Sequence, residues 1–288
     1  MQPIKKTPQQ FANGEIGIYE NIPFDDYKAL VAVNASSLKL MERSPLHFRY
    51  NYLNPRKDSE ALSLGRVAHA CIFEPDKFKN YAVAPKTDGR TKEGKGTKAK
   101  FLSDNEGREF IDKEEYDISI ELRDAVYSNP VAKIILEKEG YHELTLVWND
   151  VVTGVLCKAR LDRYTNFVYS GVAEPVIIDL KTCQDARALP FSRDILKYKY
   201  YFSMCFYMKG LQTLLGVPHR RSILIAVETP RPHGVLLQQL SSDWIDAGMK
   251  EVEKHLATFK LCNETNEWSG YAQEIINSVP PPYSFTEN

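Results

Sequence analysis

Apolar residues recur at helical spacing through the first and last parts of the chain and at strand spacing in its middle. This periodicity predicts a helix that begins at Asn34, capped by Asn34 or Ser36, and further helices around 47–50 and over 59–73, 113–128, 130–139, 195–215 and 243–261. It predicts strands over 141–148, 152–162, 176–181, 222–228 and 234–240. The order of helices, an antiparallel meander, a long crossover helix and further strands predicts an α/β sandwich with a central mixed sheet.

Two segments lack a clear pattern within what we predict to be a single domain over 1–288. Residues 1–33 cannot be assigned, and residues 85–110 are basic and rich in glycine without periodicity, which predicts a flexible loop or a weakly formed helix. A flexible insertion and a cationic segment that orders on a phosphate backbone are both consistent with this composition. The charge favours the second interpretation and makes four residues candidate DNA contacts. They are Arg90, Lys92, Lys95 and Lys98.

The strand predicted over 176–181 ends in charged residues, at a place where burial normally selects against charge. Because alternate strand residues share a face, Asp179 and Lys181 emerge together. The strand before it ends in Asp162, so pairing of the two strands would let both aspartates share a divalent cation beside the Lys181 ammonium. This is the minimal equipment for metal-assisted phosphodiester hydrolysis. The alternative is a structural ion pair between Asp179 and Lys181 or Arg160.

Two further residues complete the predicted site. Glu143 alternates with Thr145 and Val147 on the strand next to the one that carries Asp162, and His69 lies on a small, apolar helix. Taken alone, Glu143 also fits an exposed strand and His69 also fits a hydrogen-bonded residue of the core.

This ligand set favours two Mg²⁺ ions, with Mn²⁺ able to substitute, because hard oxygens with one imidazole suit these cations better than zinc. Asp162 and Asp179 would be shared ligands, Glu143 and His69 would hold the second ion, and the Leu180 carbonyl would add an oxygen. Lys181 would orient the attacking water or stabilise the transition state. Adjacent carboxylates keep a lysine protonated, which argues against a role as general base.

Composition adds three constraints. The net charge of -1 provides no global attraction to nucleic acid, so DNA contacts must come from local basic clusters. The 5 cysteines include no Cys-x-x-Cys pair, which argues against a zinc ribbon or an iron–sulfur cluster. The sequence has no apolar run long enough to span a bilayer and no hydrophobic leader, so we expect a cytoplasmic protein without membrane contact.

Four segments together resemble the PD-(D/E)xK nuclease superfamily, and within its RecB/RecE-like branch they are most similar to RecE-type exonucleases (exodeoxyribonuclease VIII) and their phage relatives. The order of His69, Glu143, Asp162 and Asp179-Leu180-Lys181 carries the likeness. The segments are Ser36-Ser37-Leu38 with Ser44-Pro45, Leu64 to His69 with Glu74-Pro75, Asp88 to Lys95, and Cys157 to Asp162 continuing through Asp179 to Thr182. The likeness runs from about residue 20 to residue 285.

The resemblance implies a restriction-endonuclease-like core and a magnesium-dependent exonuclease that degrades the 5′ strand of linear duplex DNA and leaves a 3′ overhang. It implies a ring-like homotetramer, a RecT-like single-strand annealing protein as partner, and a phage or prophage origin. Ser37, Arg66 and Arg160 are further candidate DNA contacts nearer the site, although each also fits an ordinary solvated position.

The sequence departs from the family pattern on the helix after Asp-x-Lys. The family usually carries Gln-x-x-x-Tyr there, but this chain has Ser203 in place of the glutamine, with Tyr207 in the tyrosine position. The two side chains are one turn apart and share a helix face, although the serine hydroxyl could act only through a water. Two alternatives stay open beside the exonuclease: an endonuclease or repair nuclease, and a DNA-binding module without catalytic activity.

Overall fold

The computed structural model describes residues 6–54, 60–169 and 171–280. The helices are α1 (Pro8–Ala12), α2 (Phe24–Ala29), α3 (Ala35–Leu38), α4 (Pro45–Leu53), α5 (Glu60–Phe73), α6 (Pro75–Phe78), α7 (Lys92–Asp104), α8 (Lys113–Ser128), α9 (Pro130–Glu137), α10 (Ala188–Lys197), α11 (Tyr200–Leu215) and α12 (Ser242–Thr265), with a 3-10 turn at Lys39–Glu42. The strands are β1 (Gly17–Tyr19), β2 (Ala82–Val83), β3 (Phe110–Ile111), β4 (Gly140–Asn149), β5 (Leu156–Tyr169), β6 (Val172–Cys183), β7 (Ser222–Glu228) and β8 (Val235–Gln239).

The central sheet has the order β1-β4-β5-β6-β7-β8. Strands β6 and β7 are parallel and the other neighbours are antiparallel, so the sheet is mixed. Helices cover both faces, which confirms the predicted α/β sandwich. No helix in the described part of the chain combines the length and the apolar character needed to cross a membrane.

Two apolar clusters occupy the two faces of the sheet. The first, which we call core 1, packs α11 and α12 against β4 and β5 and includes Leu144, Trp148, Leu161, Phe202 and Phe206. The second, core 2, packs α5, α8 and α9 against β6 and β7 and includes Phe73, Leu122, Ile135, Ile178 and Ile225. The alternation of Ile177 into core 1 and Ile178 into core 2 shows that β6 is buried on both faces.

The central strands are longer than the sequence predicts, so Asp162 and Asp179 lie inside β5 and β6 rather than at strand ends. Three of the four residues after Asp162 carry a charged or amide group or a hydroxyl without an aromatic ring, which hides the strand from a hydrophobicity pattern: Arg163, Thr165 and Asn166. Arg163 and Thr165 are nevertheless buried, where Thr165 donates its hydroxyl to the Glu139 carbonyl at 2.5 Å and Arg163 donates to the end of α9. The predicted start of the same strand at 152 is wrong, since β5 begins at Leu156.

Two helix predictions also need correction. The basic segment is not a loop throughout, because α7 occupies Lys92–Asp104 between the short parallel strands β2 and β3. The helix predicted over 195–215 is divided into α10 and α11 at Lys199, whose φ of 53° places it in the left-handed region. Helix α5 begins by Glu60, and the predicted start at Ser59 lies outside the described residues. The unassigned N-terminal segment supplies α1, β1 and α2, and its residues 1–5 also lie outside them.

Candidate metal centre

Three elements bring His69, Glu143 and Asp162 together. His69 projects from α5 toward β4 and β5. In the pairing of these two strands, the residues on either side of Glu143 are opposite the residues on either side of Asp162, so Glu143 lies opposite Asp162. The His69 ring is 3.2 Å from Glu143 through Nδ1 and 2.5 Å from Asp162 through Nε2. Ligand atoms of all three residues lie within 4.8 Å of one another. The structure therefore groups these three predicted site residues.

The backbone of β4 is distorted at this point. Glu143 has a φ of 50°, which is in the left-handed region and uncommon for a residue with a side chain. On one side of it Leu144 belongs to core 1, and on the other His142 packs 5.7 Å from Phe73 of core 2. Residues 142 and 144 would share a face in a regular strand. The distortion therefore places Glu143 where the strand changes from one core to the other.

The electrostatics of the cluster favour a charged imidazole between two carboxylates. Burial disfavours the protonated ring, but Asp162 and Glu143 outweigh it and raise the pKa of His69 to about 10. Burial likewise opposes ionisation of the two acids, but the protonated His69 ring lowers the pKa of both Glu143 and Asp162. Without a metal, the proton on His69 compensates one of the two negative charges, and the Arg160 guanidinium pairs with Glu143.

The donor set fits a divalent cation. Two carboxylates and an imidazole from three separate elements converge on one volume, and their hard oxygens suit Mg²⁺ or Mn²⁺. A cation held by His69 would replace the proton that the ring carries, so binding would release a proton. The coarse prediction of a divalent metal site is supported, whereas the identity of the ion and a count of two remain predictions.

Asp179 and Lys181 form a second group beside the cluster. They make a close ion pair, with the Asp179 side chain only 3% exposed, and the Lys181 ammonium lies 5.1 Å from the centre of the Tyr200 ring. Burial, and then the charge of Asp162, raises the pKa of Asp179 to about 6. The structure couples the two aspartates electrostatically, but it places Asp179 outside the three-residue cluster and does not show it as a shared ligand.

The backbone of Leu180 connects the two groups. Its amide donates to Asp162 Oδ2 at 2.8 Å and fixes the orientation of that carboxylate. Its carbonyl, predicted as a metal ligand, instead accepts a hydrogen bond from Lys181 Nζ at 3.3 Å. A carbonyl oxygen has a second lone pair, so the role of Leu180 as a metal ligand stays a prediction.

Arg160 supports the cluster and also lines the cavity that contains His69 and Asp162, so its role as a DNA contact stays a prediction. Its guanidinium makes a close ion pair with Glu143 and donates to the Ile22 carbonyl at 3.0 Å. The Arg160 side chain is 11% exposed, and Glu74 lies 3.9 Å away. The structural ion pair that the sequence suggested for Arg160 is thus present, but its partner is Glu143 and not Asp179.

The other candidate DNA contacts differ in how they lie relative to the cluster. Arg90, Lys92, Lys95 and Lys98 are exposed on or just before α7, and none of them lines the cavity at the cluster. Arg66 does line that cavity. The Ser37 hydroxyl donates to the Asn34 carbonyl at 3.0 Å as part of the α3 cap, and its neighbour Ser36 is the serine that faces the cavity.

Tyr207 on α11 lines the same cavity, whereas Ser203 is buried and does not. Burial, together with the charges of Asp179 and Asp162, raises the pKa of the Tyr207 hydroxyl well above its ordinary value. Tyr207 is therefore a neutral hydroxyl at the site. The Ser203 side chain gives no equivalent contact, in keeping with its shorter reach.

A cavity of about 980 Å³ opens on the cluster, and the sequence did not predict one of its walls. Phe24, Tyr27 and Lys28 of α2 face His69 and Asp162 across it. The signal is weak in the sequence because α2 is one short helix in a mixed segment, and long-range contacts such as the β1–β4 pairing bring it to the site.

The fold and the site define a PD-(D/E)xK nuclease-type domain: a mixed sheet with acids on three adjacent strands and a lysine two residues after the last acid. A family described as a PDDEXK-like domain of unknown function (DUF3799) matches residues 34–278, and the chain belongs to this family.

Among solved structures, the chain is similar to a protein of Eubacterium rectale provisionally named an exonuclease, with a TM-score of 0.55 and 12% identity. The match covers 87% of this chain and 91% of the other, and it shows the shared fold. No curated protein matches the chain.

Proposed function

We propose that this protein is a divalent-metal-dependent deoxyribonuclease that degrades the 5′ strand of linear duplex DNA and leaves 3′ overhangs. The observation that carries the proposal is the convergence of His69, Glu143 and Asp162 next to the Asp179–Lys181 pair. The polarity rests on the resemblance to RecE-type exonucleases alone. The restriction to DNA ends rests on that resemblance and on the name of the Eubacterium rectale neighbour.

His69, Glu143 and Asp162 would hold the cation, which when bound supplies Lewis-acid activation of water and neutralises charge on the phosphate. The Leu180 amide and Arg160 keep the two carboxylates in place. Because these supports come from the backbone and from a half-buried guanidinium, the ligands are oriented before any substrate arrives.

Lys181 acts as a fixed positive charge. Burial disfavours its charged form, but Asp179 and Asp162 outweigh burial and raise the pKa of Lys181 above its ordinary value. The ammonium therefore stays protonated and can donate to the attacking water or to a phosphate oxygen, where charge accumulates in the transition state. Asp179 is the residue that positions it, through the ion pair.

The wider assignments remain part of this proposal: two Mg²⁺ ions, a ring-like homotetramer, a RecT-like annealing partner and a role in phage-type recombination. The basic residues of α7 are proposed to contact the DNA backbone, since they form an exposed cationic surface that the site itself does not use.

The test is digestion of linear duplex DNA labelled separately at its 5′ and 3′ ends, beside a closed circle, with Mg²⁺ or Mn²⁺. We expect early loss of the 5′ label and an intact circle, and no cleavage by Asp162→Asn. Lys133→Met, on the exposed face of α9, serves as the matched surface control and should cleave normally. Cleavage of the circle would instead indicate an endonuclease, and no cleavage by the wild type with either metal would refute nuclease activity.

A further inference from the structure

Lys39 is a lysine beside the Asp179–Lys181 pair that the proposed chemistry does not use. It is the first residue of the 3-10 turn that follows α3, and its Nζ donates to the Tyr198 carbonyl at 3.0 Å. Its charge interacts with those of Lys181 and Asp179. Ser36, three residues earlier and therefore on the same side of this helical segment, lines the cavity that contains His69 and Asp162. Lys39 itself does not line that cavity, but it follows this wall along the chain and its charge interacts with that of Lys181.

Both segments that meet in the Lys39–Tyr198 hydrogen bond have defined positions in the fold. On its own side, Asn34 caps α3 through a reciprocal pair of hydrogen bonds with Ser37, which sets the start of the segment. On the other side, Tyr198 is the residue that ends α10, and the left-handed Lys199 that follows it begins α11. The Lys39 ammonium is therefore held against the junction of α10 and α11 by a segment whose start is capped.

The charge on Lys39 has no carboxylate of its own among the described residues. Asp179 is paired with Lys181, and Glu251 and Glu42 are both paired with Lys199. The single hydrogen-bond acceptor of Lys39 in this part of the chain is the neutral Tyr198 carbonyl. Burial, and then the neighbouring Lys181 charge, lowers the pKa of Lys39 to about 7. The fold thus leaves the protonated form of Lys39 without a neutralising acid, and an anion bound there would stabilise that charged form.

We propose that Lys39 binds a non-bridging oxygen of a backbone phosphate of the nucleic-acid substrate, next to the phosphate that Lys181 faces. This inference rests on the proposed function and specifies one contact within it. A phosphodiester supplies one negative charge at the place where the structure lacks it. Two lysines on the same side of the metal cluster, from the 3-10 turn and from β6, would then register successive phosphates of one strand.

The experiment measures the affinity of the full-length protein for a short duplex DNA by fluorescence anisotropy over a range of salt concentrations. Ca²⁺ replaces Mg²⁺, and product analysis verifies that the DNA stays intact. Each phosphate that a lysine neutralises on duplex DNA contributes about 0.9 to the slope of log affinity against log salt. We expect Lys39→Met to reduce the slope by about 0.9 and, if the two lines meet at 1 M salt, to weaken binding about eightfold at 0.1 M.

Lys39→Arg keeps the cation and should keep the slope, and Lys133→Met, remote on α9, should leave both slope and affinity unchanged. Thermal unfolding of each variant checks that the fold is intact. If Lys39→Met binds with the wild-type slope, or if Lys39→Arg fails to restore it, the lysine serves only to hold Tyr198 and the inference is wrong. If the wild type neither binds nor cleaves DNA, the proposed function itself fails, which is a distinct result.

Discussion

At the scale of single residues, Lys158 shows how a buried charge can hold a functional element in place. Its ammonium donates to the carbonyls of Tyr27 at 2.6 Å, Lys28 at 3.3 Å and Leu30 at 2.6 Å, at the end of α2. Because the last carbonyls of a helix have no partners within it, these bonds cap α2 and fix it as a wall of the cavity.

Replacement of Lys158 by methionine should therefore destabilise the protein. Three carbonyls lose a charged donor, and a hydrogen bond to a charged group is worth about 1.5 to 3 kcal/mol, so we expect the free energy of unfolding to fall by about 2 to 3 kcal/mol. Urea denaturation measures the change. Lys133→Met, whose lysine is 54% exposed, should change it by no more than about 0.5 kcal/mol. Equal effects of the two variants would contradict the capping role.

Lys181→Met tests the residue closest to the expected chemistry. Loss of one donor that stabilises a transition state lowers kcat by about a hundredfold to a thousandfold, and we expect a loss in that range. The metal ligands are untouched, so Mn²⁺ should still raise the melting temperature of this variant. Single-turnover cleavage and thermal unfolding with Mn²⁺ separate the two effects. A variant that also loses the response to Mn²⁺ would place Lys181 in the metal site itself.

At the scale of elements, α7 depends on a glycine that the structure requires. Gly94 donates its amide to the Thr91 hydroxyl at 2.9 Å, and a Cβ at this position would lie 2.1 Å from the Asp88 carbonyl oxygen. Gly96, two residues later, has open space around its Cα. The two glycines form a matched pair within one helix.

We expect Gly94→Ala to destabilise the protein by about 1 to 3 kcal/mol, since the start of α7 must shift to relieve the overlap. Gly96→Ala should stabilise it by about 0.4 to 1 kcal/mol, because alanine reduces the entropy of the unfolded chain without strain. Urea denaturation of both variants measures whether the two changes in the free energy of unfolding have opposite signs. Stabilisation by Gly94→Ala would show that α7 does not begin as described.

The buried Asp150 side chain connects the β4–β5 hairpin to α11 and should make the stability of the protein depend on pH. Asp150 is 2% exposed, accepts from the Thr153 amide at 2.9 Å and hydroxyl at 2.7 Å, and lies 3.3 Å from Lys209. Burial acts to raise the pKa of Asp150, but these hydrogen bonds and the lysine outweigh it and lower the pKa below the ordinary value.

A lowered pKa means that the folded state binds the Asp150 proton less tightly than the unfolded chain does. The stabilisation is therefore complete above the unfolded pKa of about 4 and is lost as the pH falls through the folded pKa. The unfolding free energy of Asp150→Asn should lie below that of the wild type by a constant amount from pH 7 to about 5, and the two curves should converge in more acidic solution. Asp104→Asn, an exposed control at the end of α7, should run parallel to the wild type throughout.

The elements also show what the sequence could predict. The apolar periodicity located the central strands and the long helices, because β6 and β7 are buried on both faces and their apolar runs are continuous. It missed the outer half of β5, where Arg163 and Thr165 are buried through hydrogen bonds rather than apolar contacts. It also missed the break at Lys199, since a left-handed lysine has no sequence signature of the kind that glycine provides.

At the scale of the whole molecule, the site exists only in the folded chain. His69, Glu143 and Asp162 are separated by 74 and 19 positions in the sequence and meet through α5, β4 and β5. A cation that binds this site binds the folded state alone, which stabilises it by about 2.7 kcal/mol at a hundredfold excess over the dissociation constant.

We therefore expect Mn²⁺ to raise the melting temperature of the wild type by several degrees and that of Asp162→Asn hardly at all. Asp104→Asn should respond as the wild type does. Differential scanning calorimetry with and without Mn²⁺ measures the shift. An equal shift in Asp162→Asn would place the ion elsewhere in the protein.

The residues of the candidate site could be predicted from the sequence, but their arrangement could not. Asp162, Asp179 and Lys181 could be found because charge interrupts an apolar strand, and His69 and Glu143 followed from the family resemblance as well as from their elements. The geometry could not be predicted, because it depends on the left-handed backbone of Glu143 and on which partner each charge selects. Arg160 selects Glu143, and Lys181 selects Asp179.

The position of Glu143 between the two cores has a consequence for how the protein can vary. The His69 ring lies 4.8 Å from Phe73 of core 2, and Lys181 lies 5.1 Å from Tyr200, which packs against core 1. Each reactive group thus rests on an aromatic ring that belongs to a different half of the interior. A change of volume in either core can therefore reach the site, through Phe73 from core 2 or through Tyr200 from core 1.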